Sequence, residues 1–484
     1  MKKNKAFSPR KKDRIKIIRS IIQGIILIAI LIIGVRAFFT SNQYEPIQDQ
    51  DRSQTEKGFI ALSYFGIDHL ESTSLIGTQR FDDHLDALKN SGYVTISQED
   101  IIAYYQAGKP LPEKSLFLIL EDGRRDTAIF AQKFLEKYNY KGNILTYAQN
   151  LEKRDPKFLR PKDLLELEKS TYWEQGTNGY RLEYINVFDR YENFLNTLDT
   201  YQFQMLAPYL DRNYNHYLMD YIRDESGVPM ENLSQMQDRI AFDYEQLREI
   251  YTNNINKVPD MYILMHSNSG QFGTNDKVSH ENEKWMKELF KLNFNREGNT
   301  LNLRDSSAYD LTRIQPQSYW YTNHLLMRIW RDTGEDLAFV SGDLKRKADW
   351  NTLEGVAEFI DETIVLTSLP GKRGLMKLEQ SEDFQNINLS VKLKGNQAGS
   401  QRIYLRADEN LEKYVCVEIK NNILYIYDKT VNGLVEEQLV LDLNHHDGIE
   451  LESVDENKLA AEIRELETQL RYVSDAKDIK ELNT

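Results

Sequence analysis

Between Gly58 and Gly179 short apolar runs alternate with amphipathic stretches of helical period, and that alternation limits the chain to very few folds. "FIALSYF" (59–65) reads as a strand. "TQRFDDHLDALKNSG" (78–92) reads as a helix with Phe81, Leu85 and Leu88 on one face and Gly92 as its stop. "YVTIS" (93–97) is a strand, and Ser97 caps a helix that Gly108 ends. "SLFLIL" (115–120) and "KGNILTYA" (141–148) are strands flanking the helix "DTAIFAQKFLEKYN" (126–139). "RPKDLLELEKST" (160–171) is a helix with Pro161 at its start, followed by "YWEQGTNG" (172–179) as a short strand and loop. Strands separated by helices pair in parallel through crossovers, so the pattern predicts an α/β fold built on a parallel sheet, either a barrel or an open sheet.

The character changes along the rest of the chain. Residues 186–257 are charged and read as a helical insertion interrupted by "DESGVP". "DMYILMHSN" (260–268) returns as a buried strand, and Trp285–Phe294 as a helix. From 351 to 452 short alternating runs such as "QRIYLRAD", "KYVCVEIKN" and "ILYIYDK" are split by Gly, Asn and Asp, which predicts an antiparallel β-sandwich. Leu459, Ile463, Leu466, Leu470 and Val473 then follow an a/d rhythm, predicting a C-terminal helix over 453–484 that could support an oligomer.

The N-terminus fixes the expected location. A basic segment (1–20) precedes the apolar run "IIQGIILIAILIIGVRAFF" from Ile21 to Phe39, 19 residues long. At 1.5 Å per residue such a run covers roughly 30 Å, the hydrocarbon thickness of a bilayer. The first 40 residues hold ten Lys/Arg against one acid, +9, so the remainder carries −23 of the total −14. Basic residues on the N-terminal side keep that end in the cytoplasm. The expectation is a single-pass type II membrane protein: anchor 21–39, linker 40–57 and the bulk of the chain extracytoplasmic. An acidic exterior excludes nucleic acid as a natural partner. The single cysteine, Cys416, excludes an intramolecular disulfide and a cysteine-rich zinc site.

The strand at 115–120 runs into "EDGRRD": Glu121, Asp122 and Gly123 at its C-terminal end. Paired acids at the end of a buried strand mark a candidate active site, and Arg124 and Arg125 are the nearest candidates to neutralise them. The order and spacing of "GFIALSYFGI", "RFDDHLDALKNSGYVTISQEDIIAYYQAGKPLPEKSLFLILEDG", "FAQKFLEKY" and "YWEQGT" resemble the polysaccharide deacetylases of the NodB-homology type over roughly residues 58–182, with a weaker echo at 260–268. The resemblance implies a distorted (β/α) barrel, here over 58–350, with its site at the C-terminal strand ends. It implies a general base at Glu121, where the family has Asp, and a metal ligand at Asp122. It also implies a proton donor at His266.

Two metal-ligand histidines of the family are replaced, the first by Asn178 and the second by Leu182. A catalytic zinc takes three protein ligands at about 2.0–2.2 Å and keeps one open position. Asp122 alone does not meet that demand, so the family zinc is not expected with the family geometry. His69, in "FGIDHL", is a candidate replacement ligand, in an Asp122–His69–His266 site. Asn178, Asn268, Trp320 and Tyr321 are candidate sugar-binding residues, amides for hydroxyls and aromatics for stacking. Glu174, with Glu121 and Asp122, is a candidate carboxylate for metal-independent glycoside hydrolysis. The expected role is action on, or binding of, a cell-wall or secreted polysaccharide. The alternatives are a catalytically inactive glycan-binding scaffold and a metal-independent glycoside hydrolase.

Overall fold

The computed structural model describes residues 57–70, 72, 75–153, 155–211, 214–264, 272–395, 399–430 and 432–443, together with 43–47 and Arg19, Ile22 and Gln23. The basic segment, the apolar run 21–39 and the C-terminal helix otherwise lie outside the described residues, as do His266 and Asn268. Among the described residues no helix is long and apolar enough to cross a membrane. The chain divides into two compact units, Met1–Leu378 and Glu379–Thr484.

The first unit is α/β. Its strands are β1 (Phe59–Tyr64), β2 (Val94–Thr95), β3 (Ser115–Leu120), β4 (Gly142–Tyr147) and β5 (Trp173–Gly179). Then come β6 (Glu183–Phe188), β7 (Phe194–Asp199), β8 (Asn215–His216), β9 (Met261–Tyr262), β10 (Leu292–Asn293), β11 (Leu301–Asn302) and β12 (Thr312–Arg313). The main helices are α1 (Thr78–Asn90), α2 (Gln98–Ala107), α3 (Arg125–Tyr138), α4 (Pro161–Lys169), α5 (Leu233–Ile255), α6 (Asp276–Leu289) and α7 (Thr322–Thr333). The predicted stops act as expected at α2. The Ser97 hydroxyl accepts from the Asp100 N–H in a capping box, and Gly108 closes the helix in the left-handed region at φ 65°.

The main sheet has the order β10-β9-β5-β4-β3-β1-β11, with β2 on the early part of β3, and it curls as a half-barrel. All its pairings are parallel except β1 with β11. It is not a closed ladder of strands. The gap between β10 and β1 is spanned by the segment 308–314, which includes the two-residue β12. Asn293 N–H donates to Ala308 O, Leu311 N–H to Asn293 O, Ile314 N–H to Ala61 O and Ser63 N–H to Ile314 O, at 2.9–3.2 Å.

Strand parity decides which side chains face the interior. Leu116, Leu118 and Leu120 of β3 join the layer under α1 and α3, with Phe81, Leu85 and Leu135. Phe117 and Ile119 join the opposite layer with Phe59, Ala61, Leu145, Met261, Phe294 and Leu311. The next interior positions in that alternation are Ser63 on β1, Glu121 after β3 and Tyr147 on β4.

Residues 186–257 are not all helical as expected. β6 and β7 form an antiparallel pair extended by β8, order β8-β6-β7, before α5 begins at Leu233. The reason is local. The Asp189 carboxylate accepts from the N–H groups of Tyr191 and Asn193, and Glu192 takes φ 65°, so "DRYEN" turns instead of continuing a helix.

The second unit carries one antiparallel sheet of four strands in sequence order: β13 (Ser400–Leu405), β14 (Tyr414–Lys420), β15 (Ile423–Lys429) and β16 (Val435–Asp442). This differs from the two-layer sandwich expected over 351–452. The earlier strands of that region belong to the first unit, where the hairpin Val356–Ile360/Thr363–Thr367 is fixed by buried Phe359 and by Asp343 N–H donating to its carbonyl at 2.9 Å. "INLSVKLKG" forms no strand. Its Ile387, Leu389 and Val391 are about half exposed, so alternation there has no apolar face to meet.

Candidate functional site

The C-terminal ends of β1, β3, β4 and β5 converge on one polar cluster in the otherwise apolar interior. Glu121 is fully buried at 0% exposure. One carboxylate oxygen, Oε1, accepts from the Ser63 hydroxyl and from Arg313 Nε, the latter at 3.0 Å. Arg313 is itself 2% exposed. Its Nη1 donates to the Phe294 and Arg296 carbonyls at 3.3 Å each, and its Nη2 to Glu297 Oε1 at 3.0 Å. Burying a charge is costly unless a partner and hydrogen bonds compensate it, and this pair has both. The other Glu121 oxygen, Oε2, and the Tyr147 hydroxyl are buried without hydrogen-bond partners. Burial holds the Tyr147 phenol well above its ordinary range, with the charges of Asp122 and Glu121 adding to it.

The expected neutralisers do not serve Glu121. Arg124 pairs with Asp126, and Arg125 lies 3.8 Å from Asp163. No motif in the sequence marks Arg313. The signal was present: in "LTRIQ" a lone cation is flanked by Leu311 and Ile314, both buried. Ser63 and Tyr147 were legible by the same parity that places Glu121 inside.

Asp122 does not continue the strand. It adopts φ 66° and Gly123 φ 60°, so the chain turns sharply into α3. A Cβ on Gly123 would stand 2.6 Å from Thr146 Cγ2 and 3.0 Å from the Leu145 carbonyl oxygen, so only glycine fits. The turn leaves the Asp122 carboxyl mostly buried, and burial pushes its pKa up to about 7. Glu121 adds to the rise, while Lys157 and Arg124 oppose it.

Asn178 is buried at 0%, on a register shift where β5 leaves β4. Its Oδ1 accepts from the Asp122 N–H at 3.3 Å, and its Nδ2 donates to the Ile263 carbonyl at 3.1 Å. Both ends of the amide therefore bond backbone and tie the β3–α3 turn to β9. Leu182 packs against the small core of Tyr184, Val187 and Leu198 beside the insertion sheet. The residues that the resemblance sets at the zinc positions do not suit the metal. Leu182 is a hydrocarbon, the Asn178 amide is already bonded at both ends, and a guanidinium stands against the carboxylate next to Asp122. Among the described residues no three His, Cys, Asp or Glu side chains gather as a metal site.

The remaining candidates are dispersed. His69 is exposed, its ring 6.3 Å from that of Phe130. Glu174 lies at the opposite end of the sheet, where it accepts from the Gln98 N–H at 2.8 Å, at the start of α2, and pairs with Lys141 at 3.7 Å. It is a structural carboxylate and stands apart from Glu121. Trp320 and Tyr321 precede α7, and their rings are engaged by α7 and α1 respectively. The Arg80 guanidinium lies 3.7 Å from the Tyr321 ring centre, and Trp320 stacks on His324 at 4.3 Å. The Trp320 carbonyl accepts from His84 Nε2 at 3.0 Å, while His84 Nδ1 bonds the Tyr64 hydroxyl at 3.1 Å. Burial lowers the His84 pKa to about 3, which keeps that bridge neutral.

No family model matches this sequence, and no curated protein matches it. Its structure does match those of polysaccharide deacetylases over about 56% of the chain. A de-N-acetylase from Aggregatibacter actinomycetemcomitans aligns with a TM-score of 0.43 and 15% identity, covering 56% of this chain and 98% of that one. The deacetylase domain of BpsB from Bordetella bronchiseptica gives 0.40 and 14%, covering 56% and 97%. The Streptococcus pyogenes deacetylase PplD, in complex with acetate, gives 0.38 and 15%, covering 57% and 99%.

Proposed function

We propose that this protein is a membrane-anchored, extracytoplasmic polysaccharide-binding protein that keeps a deacetylase-like scaffold and has given up zinc-dependent hydrolysis. The motif resemblance over residues 58–182 supports a cell-wall or secreted polysaccharide as the ligand. The apolar run 21–39 with its basic flank supports the anchor.

The observation that carries the loss of hydrolysis is the donor set around Asp122. Zinc lowers the pKa of its bound water and polarises the scissile carbonyl, and both effects need the metal held by several ligands. Asn178 spends its amide on the Asp122 N–H and the Ile263 carbonyl, and Leu182 offers no donor.

The test uses the full chain in detergent. Wild type, Glu121→Gln and Asp122→Asn are loaded with zinc, assayed for acetate release from acetylated glycans, and measured for retention on immobilised polysaccharides. All three are expected to release no acetate above background, to hold no stoichiometric zinc, and to be retained equally on one glycan class. Acetate release by wild type that Asp122→Asn abolishes would overturn the reading.

A further inference from the structure

The described residues just after the apolar run are fastened to one particular edge of the first unit. The Tyr44 N–H donates to Thr171 Oγ1 at 2.6 Å, and its hydroxyl donates to the Thr95 carbonyl at 2.9 Å. Its ring meets the edge of Tyr172 at 6.0 Å and lies under the Lys141 ammonium at 4.9 Å. Asn139 holds both polar groups of the next residue, accepting from the Glu45 N–H at 3.0 Å and donating to its carbonyl at 2.9 Å. Asn139 and Lys141 immediately precede β4, and Thr171 and Tyr172 immediately precede β5. Thr95 lies on β2 at the level of Leu116, early in β3. The strap at 43–47 therefore grips the N-terminal rim of the parallel sheet. Glu121, Asp122 and Asn178 lie at the other rim.

We infer that this strap sets the orientation of the first unit on a lipid surface, with the N-terminal strand rim toward the bilayer and the candidate site facing away. The inference rests on the reading of residues 21–39 as an anchor. Only three residues separate Phe39 from Gln43. A fully extended chain spans at most about 3.6 Å per residue, so Gln43 lies within roughly 14 Å of the end of the apolar run. The six residues of β3 rise roughly 20 Å, which places the site on the far side of the unit. A site so held meets polymer that extends from the membrane into the wall or medium. A sugar still attached to a lipid at the bilayer surface lies at the opposite rim.

The experiment reads distance to lipid in the full chain reconstituted into phospholipid vesicles. The native Cys416 is buried, so a single fluorophore can be placed on Lys169→Cys, at the N-terminal rim at the end of α4, or on Lys153→Cys, at the site rim after β4. Energy transfer to acceptor-labelled lipid headgroups is expected to be several-fold stronger from position 169 than from 153. Adding Tyr44→Ala is expected to narrow that ratio. Equal or reversed transfer in the chain with the intact strap, with the protein still resisting alkaline carbonate extraction, overturns the orientation and leaves the anchor standing. Release of the chain by carbonate overturns the anchor reading and the orientation with it.

Discussion

Glu121 and Asp122 are adjacent in sequence and experience opposite environments. Glu121 reaches inward to a guanidinium 192 residues away, whereas Asp122 is turned aside by its positive φ and feels Lys157 and Arg124 less than it feels its burial. The difference is visible in pH dependence. An aspartate in an unfolded chain titrates near 3.9. Asp122 in the folded chain is raised to about 7, so between these values the folded state binds more protons than the unfolded state. Stability contributed by Asp122 is thus complete below about pH 4 and is lost as pH rises through about 7. Asp243 is raised to about 7 as well, through burial, and has the same sign, so the comparison must be made against wild type. Asp122→Asn is expected to lose less stability than wild type between about pH 4.5 and about pH 7.5. Urea unfolding at both pH values checks this, and parallel losses in the two proteins would count against it.

At the scale of elements, the segment 308–314 has a role its length does not advertise. It spans the open side of the half-barrel and carries Arg313 into the interior beside Glu121. Removing one member of a buried ion pair leaves the other uncompensated, at a cost of about 3–5 kcal/mol. Arg313→Met is expected to destabilise the first unit by that amount. The double variant Arg313→Met/Glu121→Gln is expected to recover more than half of the loss, since no buried charge then remains. Chemical denaturation of the two single variants and the double variant forms the cycle. Additive losses would mean that the pair does not couple. The turn at Asp122–Gly123 and the Asn178 amide are elements of the same kind, because both fix where a strand end points.

At the scale of the whole molecule, the division after Leu378 separates the α/β unit and its late hairpins from the four-stranded sheet. A chain ending at Leu378 is expected to unfold in one cooperative transition that reappears, at a similar temperature, in the calorimetric trace of the full chain. A non-cooperative melt of the shortened chain would show that the first unit depends on the second. Much of this unit's plan was legible in the sequence. Strand and helix positions from 59 to 179 followed from apolar period and caps, because each of those signals is local. The division of the late strands was not legible, since "VAEFI" and "YVCVEIK" alternate equally well and are told apart by the backbone bonds of Phe359 to Ser341 and Asp343, which no local pattern announces.

The sequence alone determined the parallel α/β core and the acids at the end of "SLFLIL". These are properties of residue type, period and spacing, which do not depend on what lies across the fold. The tertiary structure alone decided the partner of Glu121, the use of Asn178 as a backbone tie, the opposite placement of Glu174, and the strap at Tyr44. Each of these joins segments dozens to nearly two hundred residues apart. Such pairings are settled by which surfaces the folded chain can bury together, and no local pattern carries that information.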